Sequence, residues 1–254
     1  MKHILLIFLV LFLLFLKKKN VKENFNYSHN ETLFNLIDKI YVINMDKDKE
    51  RMSILDKKLK KMGIEYERIS GIDGKKKYKE LKDKTKIRPG QLGCLMSHIK
   101  ILEKAKNNNY QNILIFEDDV IFCKNFIEKL VKLLKKVKQN EGNFDVLYLG
   151  CSQKHEWKNI VEKENYYLGK NMDGTFGMIV NRGIFNKTLK NAYELVLPID
   201  RVYSEKIQIL NKCFCANPSL ITVDINQFSN TVGKVFLNNS YYEKNRINIK
   251  DFEI

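Results

Sequence analysis

The sequence has few of the residue patterns that identify common classes of functional site. Its five cysteines are Cys94, Cys123, Cys151, Cys213 and Cys215. None forms a C-x-x-C pair, which argues against a zinc site. Neither a P-loop nor a nucleophile elbow occurs, so the chain has no motif for NTPase-type phosphate cradling or for serine-hydrolase chemistry.

The chain also lacks the features of a specific nucleic-acid reader. Its formal net charge is +15, but the lysines are scattered along the whole sequence. No basic helix carries base-reading residues, and no aromatic platform is interleaved with the positive charge, so no nucleic-acid partner is expected. The excess charge fits attraction to smaller anionic partners, such as a nucleotide-sugar, or to an acidic membrane surface.

No apolar run reaches the roughly 20 residues of an ordinary membrane-spanning helix. The run at 4–16 comes nearest, and it is followed by Lys17-Lys18-Lys19 instead of a small-residue cleavage site. We therefore predict an uncleaved N-terminal membrane anchor or signal over 1–19 and a polar stalk over 20–36. The lysines after the run favour a cytosolic location for the rest of the chain by the positive-inside rule.

One stretch near the middle of the chain combines a hydrophobic run with clustered acids. Residues 113–116 are all apolar, and Glu117, Asp118 and Asp119 follow directly. The apolar run predicts a buried central strand, and isolated buried charge is very costly. Ligands of open α/β sheets bind outside the carboxyl ends of strands, where a divalent cation carrying a diphosphate would satisfy these acids. The alternative is a strand that ends in a solvated acidic turn.

Strand patterns and helix patterns alternate on both sides of this stretch. We predict strands over 39–45, 64–69, 113–120, 144–149, 175–181 and 219–224, and helices over 46–62, 92–102, 125–138 and 182–193. The lysine-rich segment 75–88 is expected to be a loop. This alternation predicts one α/β domain with a mostly parallel central sheet flanked by helices.

Several short motifs recur in an order and spacing that resemble a known family. They are Ile40-Tyr41-Val42-Ile43-Asn44-Met45-Asp46, Gly90-Gln91-Leu92-Gly93-Cys94-Leu95-Met96-Ser97-His98, Phe116-Glu117-Asp118-Asp119-Val120, Phe144-Asp145-Val146-Leu147-Tyr148-Leu149-Gly150, Gly174-Thr175-Phe176-Gly177 and Pro198-Ile199-Asp200. Over about 37–231 they resemble the family 25 glycosyltransferases, which leaves 232–254 as a C-terminal extension.

The resemblance implies a nucleotide-sugar-binding fold of the GT-A type. It implies UDP-galactose as donor, Mn²⁺ or Mg²⁺ as cofactor, inversion at the sugar carbon, and a glycan, glycolipid or hydroxylated protein as acceptor. Because anchored sugar-transferring enzymes usually have a lumenal body, we expect that location in spite of the flanking lysines. Two alternatives stay open: UDP-glucose as donor, and an inactive relative that binds a glycan or nucleotide-sugar.

The resemblance and the residue chemistry together suggest roles near the central strand. We predict Asp119 as the first metal ligand, with Glu117 as a second ligand or, like Asp118, a partner of the nucleotide. The resemblance places Asn44 and Arg51 near the nucleotide. Arg51 could equally form a surface ion pair on its helix, which would contribute little to stability.

An inverting transfer needs a general base for the acceptor hydroxyl. Asp200 and Asp173 are the candidates, with Asp200 preferred because the family motif includes it, whereas Asp145 is expected to be structural. Asp200 could instead be a helix N-cap. His98 is expected to be a buried histidine with satisfied hydrogen bonds. The family usually shows Ser-Asp where this chain has Ser229-Asn230, which puts activity or donor choice in doubt.

Overall fold

A computed structural model describes residues 33, 35–153, 162–226, 228–231, 233–235 and 240–253. The predicted anchor at 1–19 and nearly all of the predicted stalk at 20–36 lie outside these residues. Among the helices that the structure describes, none is both long and apolar enough to cross a bilayer.

Short strands and longer helices alternate from residue 39 to residue 148. The strands are β1 Lys39–Asn44, β2 Glu67–Ser70, β3 Asn112–Glu117, β4 Val120–Phe122, β5 Val146–Tyr148, β6 Ser152–Gln153, β7 Glu162–Lys163, β8 Tyr166–Leu168, β9 Met172–Asp173, β10 Gly177–Asn181, β11 Cys213–Ala216, β12 Ile221–Val223, β13 Phe228–Ser229 and β14 Lys234–Val235. The α-helices are α1 Lys49–Lys61, α2 Gly74–Leu81, α3 Pro89–Asn107, α4 Phe126–Glu141, α5 Phe185–Ala192, α6 Ile199–Val202 and α7 Ser240–Lys244.

The central sheet has the strand order β2-β1-β3-β10-β5-β11-β8-β7. Strand β1 pairs in parallel with β2 and β3, and β5 pairs in parallel with β11. Strand β10 enters between β3 and β5 and is antiparallel to both. The mostly parallel sheet predicted from the sequence is therefore a mixed sheet, because hydrophobic patterning identifies a strand but not its direction or its neighbours.

Helices cover both faces of this sheet, as predicted. Leu114 and Phe116 of β3 belong to a core on one face, together with apolar residues of α1 and α4. Ile113 and Ile115 belong to a second core on the other face, together with residues of α3 and α5. All four side chains are fully buried, which explains the unbroken apolar run because both sides of the central strand face a helical layer.

About half of the segment predicted as a lysine-rich loop, 75–88, is helical. Helix α2 begins after Asp73, whose carboxylate accepts hydrogen bonds from the backbone N–H groups of Lys75 and Lys76. Tyr78 and Leu81 pack against the core beside α3. The prediction was wrong over 75–81, because the many lysines there lie on the solvated side of a short helix that buries only a few apolar positions.

The last described segment, 240–253, packs on the same domain. The Tyr242 hydroxyl donates to the carbonyl of Val223 at 3.0 Å, and the N–H of Glu253 donates to the carbonyl of Phe122 at 2.9 Å. Phe252 is buried in the core that also contains β4. Residues of the predicted C-terminal extension thus contribute to the core, while the boundary at 231 stays a prediction.

Candidate active site

The three clustered acids lie at the carboxyl end of the central strand. Glu117 is the last residue of β3, and Asp118 and Asp119 form the turn that leads into β4. The N–H of Asp224 donates to the carbonyl of Asp119 at 2.9 Å, which fixes this turn against the segment after β12. The predicted acidic cluster is therefore held at the edge where neighbouring parallel strands also end.

Asn44 and Arg51 both contact this acidic turn. Asn44 ends β1, the parallel neighbour of β3, and its Nδ2 donates to Asp118 Oδ2 at 2.6 Å. Arg51 reaches over from α1, with its Nη2 2.7 Å from Asp118 Oδ1 and 3.2 Å from Asp119 Oδ2. Arg51 is thus not a surface ion pair of its helix, since only 16% of its side chain is exposed.

Arg68 orients Asn44, a role that the sequence did not reveal. The Arg68 Nε donates to Asn44 Oδ1 at 2.9 Å, and its Nη2 donates to the Asn44 carbonyl at 3.2 Å. Because Arg68 occupies the amide oxygen of Asn44, the amide nitrogen faces Asp118. The only sequence feature that relates the two residues is that each lies in one of the first two strands.

Burial shifts the pKa values of all three acids upward. Burial and the neighbouring Asp119 and Asp118 raise the pKa of Glu117 to about 8. Burial raises the pKa of Asp119 to about 6, against the opposing effect of Arg51. Burial also raises the pKa of Asp118, although Arg51 and Asn44 lower it. When all three acids are ionised, the cluster therefore has more negative charge than its protein neighbours neutralise, and a bound cation would stabilise this ionised form.

The oxygen atoms of the cluster fit a hard divalent cation. Asp119 Oδ1 is buried and has no hydrogen-bond partner among the described residues. Both oxygens of Asp118 are occupied by Asn44 and Arg51, and one oxygen of Glu117 accepts a hydrogen bond from Thr175 Oγ1 at 3.3 Å. Asp119 is therefore best placed to ligate Mn²⁺ or Mg²⁺, with Glu117 as its companion and Asp118 as a positioning residue.

Two clefts meet at the acidic turn. One has a volume of about 260 Å³, and its lining includes Asn44, Arg51 and Asn230. The other has a volume of about 360 Å³, and its lining includes Asp200 and Tyr241. Glu117 and Asp119 line both clefts. A ligand in one cleft can therefore meet a ligand in the other beside these two carboxylates.

The two candidate bases differ in position. Asp200 lines the larger cleft and lies near enough to Glu117 to add to the rise in the pKa of that residue. It is not a helix N-cap, because Pro198 occupies the N-cap position of α6. The Asp200 carboxylate accepts a hydrogen bond from the adjacent N–H of Arg201 at 2.9 Å. Asp173 is not among the described residues that line either cleft.

Asp145 has the structural role expected of it. Its Oδ2 accepts hydrogen bonds from the N–H of Lys212 at 2.9 Å and from Asn211 Nδ2 at 3.3 Å. These bonds tie the chain before β5 to the chain before β11 at the amino ends of the two strands. Asp145 is therefore remote from the edge of the sheet that carries the acidic turn.

The departure at Asn230 has a specific partner. Asn230 Nδ2 donates to Asp48 Oδ2 at 2.6 Å, and both residues lie on the side of the site that holds Asn44 and Arg51. An aspartate at position 230 would place two carboxylates at hydrogen-bonding distance, which is unfavourable without a bound cation or proton. The asparagine in this chain is thus matched to Asp48.

Comparison with known proteins identifies relatives that are named as glycosyltransferases. The sequence profile of "Glycosyltransferase family 25 (LPS biosynthesis protein)" matches residues 37–203. Human "Procollagen galactosyltransferase 2" is 25% identical over 182 residues, which cover 64% of this chain and 29% of that protein. A Drosophila melanogaster "Glycosyltransferase 25 family member" is 24% identical over 182 residues, covering 65% of this chain and 30% of that protein.

A relative that is described as inactive also matches. Human "Inactive glycosyltransferase 25 family member 3" is 38% identical over 64 residues, which cover 25% of this chain and 11% of that protein. The matches to the human galactosyltransferase and the Drosophila protein span less than a third of those two proteins. The family profile, in contrast, extends from β1 through α6 and includes the acidic turn and Asp200. This chain belongs to glycosyltransferase family 25.

Proposed function

We propose that this chain is a metal-dependent, inverting glycosyltransferase that moves a hexose, in the first instance galactose, from a UDP-sugar to an acceptor hydroxyl. The observation that carries the proposal is the position of Glu117 and Asp119 on both of two adjoining clefts. Sugar transfer brings two substrates together at one reacting carbon. Two clefts that share a cluster of carboxylates fit this requirement.

The smaller cleft is proposed as the donor site. Its lining is mainly polar and includes three basic residues that suit a diphosphate: Lys47, Arg51 and Lys75. Arg51 can contact developing negative charge while it holds Asp118 and Asp119 in position. The name of the human galactosyltransferase relative supports galactose as the sugar, and UDP-glucose is the alternative donor.

A cation at the acidic turn would be held by Asp119 and Glu117. When bound, Mn²⁺ or Mg²⁺ supplies Lewis-acid neutralisation of the departing diphosphate. Asp118 does not need to contact the ion, because its hydrogen bonds to Asn44 and Arg51 fix the backbone turn that aims Asp119. In this arrangement two of the acids bind the ion and the third holds the turn in place.

Asp200 is the proposed general base. It lines the larger cleft, which would hold the acceptor. Glu117 and Asp119 line the same cleft. The acceptor oxygen forms the new bond to the sugar carbon while the bond from that carbon to the diphosphate breaks. The acceptor proton passes to the Asp200 carboxylate. A glycan, glycolipid or hydroxylated protein would serve as acceptor, and anchoring through 1–19 with a lumenal body completes the proposal.

The proposal is tested by UDP release from the full chain with a panel of UDP-sugars and candidate acceptors, in Mn²⁺ and in chelator. We expect Mn²⁺-dependent release from UDP-galactose, reduced at least about 100-fold in Asp119→Asn, which keeps the shape of the side chain but loses its charge. Asp56→Asn is the matched control, because Asp56 pairs with Lys60 and Tyr66 away from both clefts.

The alternative is a binding protein without transfer activity, which the inactive human relative and the Asn230 departure both favour. It predicts Mn²⁺-dependent binding of UDP that Asp119→Asn weakens, with no release of UDP from any donor by any acceptor in the panel. Absence of metal-dependent UDP binding by the folded wild-type chain would overturn both possibilities.

A further inference from the structure

The most unusual buried group outside the proposed machinery is His98. It lies in α3 and is fully buried, but neither of its ring nitrogens has a hydrogen-bond partner among the described residues. The satisfied hydrogen bonds expected for this histidine are therefore not found. A buried polar group without partners is rare because its desolvation is not offset, so two such atoms on one ring point to a missing ligand.

Two metal-ligating side chains lie beside this ring. Cys94 precedes His98 by four residues, so both project from the same face of α3. The Cys94 sulfur, a His98 nitrogen and a carboxylate oxygen of Glu117 all lie within 4.8 Å of one another. Three ligands placed about 2.0–2.3 Å from one ion would lie up to about 4.6 Å apart, so small side-chain rotations would close the site.

We propose that Cys94, His98 and Glu117 form a binding site for a borderline transition-metal ion, Zn²⁺ or Co²⁺, beside the hard-cation site at Asp119. A thiolate, an imidazole and a carboxylate form a donor set that suits such ions and not Mg²⁺. Three protein ligands also leave a fourth position open, as in zinc sites that bind an exogenous ligand. Cys94 and Glu117 line both clefts, which supplies an entry path.

The new site shares one ligand with the proposed Mn²⁺ site. Glu117 cannot serve both ions freely, so Zn²⁺ at Cys94 and His98 would draw it from Asp119. Binding converts the Cys94 thiol to a thiolate and releases its proton to solvent, so affinity increases with pH. The absence of C-x-x-C pairs does not exclude this site, because its two helical ligands are spaced as Cys-x-x-x-His and the third comes from β3.

Cobalt titration of the full chain tests the proposal, because a thiolate bound to Co²⁺ gives a charge-transfer absorption that oxygen and nitrogen ligands do not. We expect one equivalent of Co²⁺ to produce this band and Zn²⁺ to remove it. Cys94→Ser should abolish the band, and His98→Gln should weaken Co²⁺ binding at least tenfold. Cys123→Ser, at a buried cysteine remote from the clefts, and Asp119→Asn should both retain the band.

Circular dichroism would establish that each variant is folded. If Cys94→Ser does not fold, Cys94→Ala takes its place. A wild-type titration without the band would overturn the proposal. So would a band of unchanged intensity in a folded Cys94 variant, since the metal would then lie at another thiol. Neither result would bear on Mn²⁺-dependent transfer, which is measured separately.

Discussion

In the acidic turn, Asp119 suits a bound cation but lowers the stability of the metal-free chain. Asp119 is kept ionisable in a partly buried position where Arg51 is the main protein group that offsets its charge. Its Oδ1 has no partner among the described residues, so the folded chain carries an unfavourable carboxylate. Such a group is retained for what it binds and not for what it adds to the fold.

Asp119→Asn is therefore expected to stabilise the metal-free chain. The folded-state pKa of Asp119 is about 6, above its ordinary value, so the folded chain holds this proton more tightly than the unfolded chain. The destabilisation of the folded chain by the ionised Asp119 is therefore absent below about pH 4 and fully present above about pH 6. Urea unfolding in chelator should show a gain of about 1–2 kcal/mol at pH 8, and much less at pH 4.5.

Asp56→Asn should change stability in the opposite direction. Hydrogen bonds from Lys60 and Tyr66 lower the pKa of Asp56, so its ionised form is favoured by folding at neutral pH. A loss of stability in Asp119→Asn at pH 8 would contradict the argument, because it would mean that the ion pair with Arg51 outweighs the cost of burial.

At the scale of elements, hydrophobic periodicity predicted the helices that cover the sheet but not every connection. Helices α1, α3 and α4 each bury apolar residues on one face and lie close to the predicted ranges. Strand β11 was missed because its run of four residues is too short to be distinguished from a turn or loop by local pattern. The position of β10 between β3 and β5 depends on contacts between distant parts of the chain, which local patterns do not contain.

Packing between α2 and α3 depends on glycine at position 93. A Cβ added there would lie 2.5 Å from the carbonyl oxygen of Ile72 and 2.9 Å from the backbone nitrogen of Gly74. The Ser97 hydroxyl reinforces this contact, since it donates to the Gly93 carbonyl and accepts from the N–H of Ile72. The glycines and the serine of the family motif thus serve close packing beside the smaller cleft.

Gly93→Ala is expected to separate α3 from the segment before α2. Overpacking against backbone should cost about 1–3 kcal/mol in urea unfolding. UDP affinity, measured by calorimetry, should also fall, because Ile72 and Gly74 line the proposed donor cleft. Gly183→Ala is the control, since its nearest neighbour is the Asn181 side chain at 3.1 Å. Equal effects of the two substitutions would contradict a special role for Gly93.

Over the whole molecule, the site is assembled from segments that are far apart in sequence. Asn44 and Asp118 are 74 residues apart, and Asp48 and Asn230 are 182 residues apart. The chemistry of the acidic turn could be inferred from adjacent residues, because strand and acids are contiguous. Partners such as Arg68, Thr175 and Tyr241 could not, since only the folded sheet brings them to the same edge.

The segment 240–253 completes both the core and the larger cleft. Phe252 is buried against the core that contains β4, and its backbone forms an isolated antiparallel β-bridge with that of Cys123. Tyr241 lines the cleft proposed for the acceptor, and its hydroxyl lies 3.3 Å from Ser152 Oγ. The position of Tyr241 therefore depends on the anchoring of the residues that follow it.

Phe252→Ala is expected to reduce the free energy of unfolding by about 3–5 kcal/mol, because it leaves a cavity in the shared core. Leu210→Ala, at a side chain that is 78% exposed, should change it by less than about 0.5 kcal/mol. At temperatures where both variants are folded, Phe252→Ala should raise the acceptor KM more than the UDP-sugar KM, because only the larger cleft includes Tyr241. If the two substitutions had equally small effects on the free energy of unfolding, residues 240–253 would not contribute to the stability of the core. The acceptor cleft would then have to be complete without Tyr241.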